Sequence, residues 1–272
     1  MWDIIFNNFL NQMVFTVGAI FVFGFLIALC RRLFVRIVGY GGTTVLLFTG
    51  IIGTPIHELS HALMCIIFGH RIDEIKLFDP YAQDGTLGYV NHSYNSRNIY
   101  HQIGNFFIGV APIICGSGVI LLLLYFLMES TFNSVISLIS GAALIKSGEF
   151  NLSEFLELIK GIAGEIFKPE NMGSTYFWIF IVVSVMIASH MELSGADIKG
   201  GIGGLFMLAL LILAADAVLA FVNKSALLAF TKSILTFSAM MTSFLAISLV
   251  FCIALLVVAI IIRIISKIFF GR

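Results

Sequence analysis

The stretch from Gly53 to Cys65 reads Gly-Thr-Pro-Ile-His-Glu-Leu-Ser-His-Ala-Leu-Met-Cys. His57 and His61 are four residues apart, so on a helix they share one face and can bind one metal ion together. Glu58 follows the first histidine, where it can act as a general base on a water molecule that the metal activates. The surrounding segment, residues 43–68, is otherwise almost wholly apolar and long enough to cross a bilayer. Because polar side chains in hydrocarbon are costly, we expect these three to be functional.

The composition excludes an ordinary soluble domain. Hydrophobic residues make up 60% of the 272 residues, charged residues only 11%, and the mean hydropathy is +1.06. These values are typical of a polytopic membrane protein. The formal net charge is zero, so no basic surface favours nucleic acid. The four cysteines lie in apolar stretches at irregular spacing, which favours reduced, buried thiols over a disulfide framework.

Hydropathy along the chain predicts a single membrane domain, residues 1–272, with an all-α fold of about six transmembrane helices. The predicted spans are residues 13–30, 43–68, 103–128, 175–190, 201–222 and 233–262. Residues 130–174 form a mixed segment with apolar residues at helical spacing, which predicts an amphipathic stretch on the membrane surface. We expect Asp216, inside the fifth span, to lie far from the metal, either snorkelling or paired near the other membrane face.

Residues 70–101 are polar and cannot span the membrane as a helix. Two runs within them, residues 72–78 and 86–94, have the composition of strands and are separated by turn signals. The pattern predicts a small β-hairpin directly after the metal-binding helix. Its exposed strand edge can hold an extended peptide by strand addition, although a plain connecting hairpin fits the pattern equally well.

A catalytic zinc site needs a third protein ligand and one open position for water. The other dense group of polar residues between apolar spans runs from residue 190 to 197 and offers His190, Glu192 and Asp197. Small residues surround Asp197, so the backbone there can pack closely on the metal helix. From the residues alone, all three remain candidates.

The His-Glu-x-x-His pattern in a membrane segment, the hairpin after it and a later Asp in a small-residue turn resemble the site-2 protease family of intramembrane metalloproteases. The resemblance covers about residues 43–126 and 176–222. It implies that Asp197 is the third ligand, since Ala196-Asp197-Ile198 is similar to the Leu-Asp-Gly motif of that family. The chain lacks the Asn-x-x-Pro-x-Pro stretch before the Asp and a PDZ-like insertion, which indicates a divergent branch. A competing resemblance, to membrane-bound gluzincin proteases, would make Glu192 the third ligand.

The resemblance implies a Zn²⁺ metalloendopeptidase in which His57, His61 and Asp197 bind the metal and Glu58 is the catalytic base. Its expected substrate is a transmembrane protein in the same lipid bilayer, cleaved where its helix unwinds. We expect a multi-pass protein of a prokaryotic plasma membrane.

Two other functions fit the same residues. The first is a non-proteolytic metal-binding membrane protein, such as a sensor, an assembly factor or a transporter. Glu58 argues against it, since metal binding alone needs no base at that position. The second is a membrane hydrolase that acts on a non-peptide amide or ester.

Overall fold

A computed structural model describes residues 2–82, 85–142 and 151–270 of the chain. The predicted fold class is confirmed: the protein is an all-α polytopic membrane protein with one small antiparallel hairpin. In the described ranges, five helical segments are long and apolar enough to cross a membrane. Backbone N–H and C=O groups in hydrocarbon must pair within the chain, and long helices achieve this.

The helices and strands are numbered in chain order. They are α1 Trp2–Met13, α2 Ala19–Val38, α3 Tyr40–Ile67, β1 Arg71–Lys76, β2 Tyr89–Ser93, α4 Ile99–Leu127, α5 Glu129–Gly141, α6 Leu152–Ile166, α7 Pro169–Met172, α8 Thr175–Ala188, α9 Gly195–Val222 and α10 Lys224–Phe270. A π-helical turn, Val14–Gly18, joins α1 to α2, so Trp2–Val38 is one continuous apolar segment.

The predicted spans fall on helices of unequal length. The fourth span, predicted at 175–190, corresponds to α8, which has only 14 residues. A helix rises about 1.5 Å per residue, so α8 covers roughly 21 Å, less than the hydrocarbon thickness. The remaining five spans lie on continuous helical segments of 27 residues or more. The fold therefore combines five full-length spans with one short apolar helix.

The hairpin follows α3 directly, as the sequence predicts. The strands β1 and β2 pair antiparallel, with Arg71 opposite Ser93 and Lys76 opposite Tyr89. A bulge between Ile72 and Glu74 interrupts the register. Residues 83 and 84, in the connection between the strands, lie outside the described residues. Among those described, β2 pairs only with β1.

The segment predicted as amphipathic, residues 130–174, contains α5, α6 and α7, while residues 143–150 lie outside the described part. Asn151 caps α6 by accepting from the backbone N–H groups of Ser153 and Glu154. One side of α6 is buried, and its Phe155 ring meets Phe23 of α2 edge to face at 6.0 Å between centroids. The apolar side of α6 is therefore part of the protein core.

The approach of α9 to α4 depends on glycines. A Cβ added at Gly204 of α9 would lie 2.5 Å from the Gln102 carbonyl oxygen and 2.5 Å from the Phe106 nitrogen of α4. A Cβ added at Gly109 of α4 would lie 2.6 Å from the carbonyl oxygen of Asp197. Small residues at such positions let helix backbones come close in a membrane. This contact brings the first turn of α9 against the middle of α4.

The close approach of α9 to α4 can be tested with two glycine variants of α9, one at the contact and one away from it. Gly204→Ala should lower the thermal unfolding midpoint in detergent, because overpacking of a tight contact costs about 1–3 kcal/mol. Gly203→Ala should leave the midpoint unchanged or raise it, since a Cβ there meets nothing within 4 Å. Equal midpoints for the two variants would contradict the close approach.

Candidate metal centre

Helix α3 places His57 and His61 side by side. Their rings meet edge to face with centroids 4.8 Å apart, and their Nε2 atoms are separated by 3.1 Å. His61 is buried, with 7% of its surface exposed. This is the arrangement expected for residues four apart on a helix face.

Both histidines are oriented by backbone carbonyls from other parts of the chain. The Nδ1 atom of His57 lies 2.6 Å from the carbonyl oxygen of His190, and that of His61 lies 2.7 Å from the carbonyl oxygen of Ile108. Since a carbonyl oxygen only accepts, each Nδ1 must donate a proton, and each neutral ring is left with a lone pair on Nε2. Two lone pairs then face each other at 3.1 Å. A cation between the two Nε2 atoms would remove this repulsion, because both lone pairs could bind it. Histidine ligands of metals commonly donate their other ring N–H to a carbonyl, as these two do.

Asp197 completes the cluster from the first turn of α9. Its Oδ1 atom lies 3.3 Å from the Nε2 of His61, and its Oδ2 atom lies 3.9 Å from the Nε2 of His57. The backbone N–H of Ser194 donates to Asp197 Oδ2, and the Ser194 hydroxyl accepts from the Asp197 N–H, which forms a capping box. This pairing fixes the carboxylate at the helix N-terminus.

The three donor groups fit a zinc ion. The ligand atoms of His57, His61 and Asp197 lie within 4.8 Å of one another. Two imidazoles and one carboxylate are a common donor set of catalytic zinc sites, which leave a fourth position for water. The structure thus brings together all three residues that the sequence predicts as ligands.

The other two candidates for the third ligand have different contacts. Glu192 forms an ion pair with Arg31 of α2. The His190 ring packs against the α3 backbone, and a Cβ added at Gly53 would lie 2.7 Å from its Nδ1 atom. His190 contributes to the centre through its backbone carbonyl oxygen, which accepts a hydrogen bond from His57. This contact could not be predicted from the sequence, because every residue type has a backbone carbonyl.

Asp216 lies elsewhere, as expected from its place on α9. It is fully buried, and its Oδ1 atom accepts a hydrogen bond from Gln12 of α1 at 3.1 Å. It lies nineteen positions beyond Asp197 on the same helix, which corresponds to roughly 28 Å along the axis. Of the two expected arrangements, the structure has the paired one, because a buried carboxyl cannot snorkel.

Glu58 and the hairpin form the walls of a cavity of about 580 Å³ beside the three donors, which we call the cleft. Glu58 is 6% exposed. Gly88, just before β2, lies so close that an added Cβ would be 2.8 Å from Glu58 Cγ. Tyr89 and His92 of β2 also line the cleft. Cavities of this size accommodate a short piece of an extended ligand.

Two further histidines lie outside the membrane-spanning helices: His70, which is buried, and His92 of β2, which is half-buried. Burial lowers the pKa of His70 below its usual range. Burial, and then the neighbouring His70 and His61, lower the pKa of His92. Both imidazoles are therefore neutral at neutral pH and keep one lone pair each.

Comparison with known families points to the same chemistry. A family model described as "Putative zincin peptidase" matches residues 50–160, less than half of the chain. The match supports a zinc metallopeptidase. Zn²⁺ is the cofactor that this family implies, in agreement with the sequence prediction. The matched range contains His57, Glu58, His61, the hairpin and α4, and ends before Asp197. No curated protein and no solved structure gives a significant match.

The contacts of Asp197 and Glu192 predict opposite effects on zinc content when each carboxylate is neutralised. Asp197→Asn should lower bound zinc by about one ion per chain after dialysis against a chelator, because a neutral amide is a poor zinc ligand. Glu192→Gln should keep the wild-type zinc content, because its carboxylate is paired with Arg31. Metal analysis of the purified proteins by mass spectrometry measures both. Loss of zinc in Glu192→Gln alone would assign the third ligand to Glu192 instead.

Proposed function

We propose that the protein is an intramembrane zinc metalloprotease, a divergent relative of the site-2 proteases, that cleaves a membrane-embedded protein substrate. The observation that carries the proposal is the cluster of His57, His61 and Asp197 on helices α3 and α9, both long and apolar enough to cross a membrane. Glu58 lines the same cleft as the three donors. Localisation to a prokaryotic plasma membrane stays a prediction from the sequence.

In this proposal His57, His61 and Asp197 hold the metal. Zn²⁺ bound there supplies a Lewis acid that activates a water molecule and polarises the carbonyl of the scissile bond. The His190 and Ile108 carbonyls keep the two imidazoles in the tautomer that binds metal through Nε2. The capping box with Ser194 holds the Asp197 carboxylate in place.

Glu58 is the proton carrier. It accepts a proton from the attacking water as the new C–O bond forms at the substrate carbonyl. It then delivers the proton to the amide nitrogen, so that the C–N bond breaks and a neutral amine leaves. Its low exposure and its contact with the segment around Gly88 favour one position of the carboxyl group during both steps.

The hairpin supports a peptide substrate over other ligands. Residues of β2 line the cleft, and β2 has one edge that no described strand occupies. An extended backbone can pair with such an edge. A transmembrane substrate would need to unwind locally to do so, because a helix keeps its own N–H and C=O groups paired.

Glu58→Gln is the direct test of the mechanism. In proteoliposomes that contain a panel of tagged single-span proteins, wild type should produce new termini within the apolar segments, read by mass spectrometry. Glu58→Gln should reduce cleavage by at least about 100-fold, because it removes the base, while zinc stays bound. Undiminished cleavage in this variant would contradict the mechanism. Bound zinc with no cleavage of any panel member, and none of amide or ester probes, would favour a non-proteolytic metal-binding protein.

The contact between the hairpin and the base provides a second test. In Gly88→Ala the new Cβ would lie 2.8 Å from Glu58 Cγ and 2.9 Å from the Lys76 carbonyl oxygen. We expect cleavage of the same panel to fall by roughly 10- to 100-fold, because small displacements of a catalytic group are costly. The zinc content should not change. Gly118→Ala on α4, where a Cβ meets nothing within 4 Å, is the control.

A further inference from the structure

A second cluster of metal-binding side chains lies next to the metal centre. Cys65 is one helical turn beyond His61 on α3, His70 immediately precedes β1, and His92 is on β2. Their ligand atoms lie within 4.8 Å of one another. Cys65 is fully buried and His70 is 6% exposed. The cluster therefore joins α3 to the residue before β1 and to β2.

The two rings of this cluster repeat the geometry of the metal centre. His70 donates from Nε2 to the carbonyl oxygen of His101 at 2.8 Å, which leaves the lone pair on Nδ1. This Nδ1 atom lies 3.1 Å from the Nδ1 of His92, the same separation as between His57 and His61. Two nitrogen ligands of a tetrahedral zinc ion are roughly 3.3 Å apart. Tyr94 stacks on the His70 ring at 4.8 Å and restrains its orientation.

The second cluster is separate from the metal centre. His61, the shared neighbour, directs its Nε2 atom at His57 and Asp197 and its Nδ1 atom at the carbonyl of Ile108. It has no nitrogen left for a second ion. Cys65 is thus beside the hairpin histidines and not among the donors of the metal centre.

We propose that Cys65, His70 and His92 form a second zinc site that fastens the hairpin to α3. A thiolate and two imidazoles suit Zn²⁺, with a water molecule at the fourth position. Zinc binding releases the thiol proton to solvent.

The proposed ion would link residues up to 27 positions apart in the chain. It would also hold β2, which forms one wall of the cleft, in place. His92 belongs to both, since it lines the cleft and is a member of the cluster. The site would thus set the position of the hairpin relative to Glu58.

The sulfur ligand makes the two sites distinguishable in one protein. The metal centre has nitrogen and oxygen donors, so zinc–sulfur scattering at about 2.3 Å in X-ray absorption would distinguish the second site from it. Wild-type protein purified under reducing conditions should show this scattering and should bind about two zinc ions per chain. Co²⁺ in place of zinc should add a thiolate charge-transfer band in the near ultraviolet.

Variants then assign the signal. Cys65→Ser and His92→Asn should each reduce zinc to about one ion per chain, and Cys65→Ser should abolish the thiolate band. Cys115→Ser, on α4 outside both clusters, should keep both signals. His57→Ala should lose one zinc ion and keep the thiolate band, which separates failure of the proposed metal centre from failure of this site. Absence of zinc–sulfur scattering and of the band in zinc-loaded or cobalt-loaded wild type would overturn the proposal. A band that persists in Cys65→Ser would do the same.

The structural role has its own readout. In the His57→Ala background, zinc should slow hydrogen exchange of the β1 and β2 amides, because the bound ion restrains the hairpin. The same addition to His57→Ala/Cys65→Ser should have no effect on these amides. Equal exchange with and without zinc in the single variant would show that the cluster does not fasten the hairpin.

Discussion

The protons on the two Nδ1 atoms of His57 and His61 determine which ring nitrogens are left free to bind a cation. Each is donated to a backbone carbonyl, from His190 and from Ile108, so the two Nε2 lone pairs must face each other within an apolar bundle. Buried polar atoms in such surroundings are unfavourable unless they are paired. A cation bound by both nitrogens and by Asp197 satisfies all three groups at once. The carbonyls come from α4 and from the segment after α8, so the packing of these elements on α3 also orients the two rings.

The approach of Asp197 depends on the absence of side chains between α4 and α9. Gly109 and Gly204 allow backbone contacts that any Cβ would prevent, and these contacts hold the first turn of α9 beside the histidines. Lipid provides no hydrophobic force that drives apolar helices together, so close van der Waals packing at small residues is an important source of their association. The same glycines that stabilise the bundle therefore also complete the donor set. In the proposed metal site, helix packing and metal binding would therefore depend on the same helix contact.

In the proposed protease, the hairpin would be the part of the chain that contacts the substrate beside Glu58. It follows α3 soon after the turns that carry His57 and His61, and it returns so that Gly88 lies against Glu58 and β2 lines the cleft. A two-stranded hairpin alone is only marginally stable in water. Its position must therefore come from contacts with the helices, and the group of Cys65, His70 and His92 is one place where α3 and the hairpin meet.

The membrane class, the helix that carries His57, Glu58 and His61, the hairpin after it and zinc as the cofactor could all be predicted from the amino-acid sequence. These features could be predicted because helical spacing, hydropathy and strand patterns each depend on residues close together in the chain. The tertiary structure decided which of His190, Glu192 and Asp197 approaches the histidines, that α8 is a short helix, and that Cys65 lies with two hairpin histidines. These relations join residues that are far apart in the chain. They depend on glycine contacts, on an ion pair with Arg31 and on backbone carbonyls, which no spacing of side chains encodes.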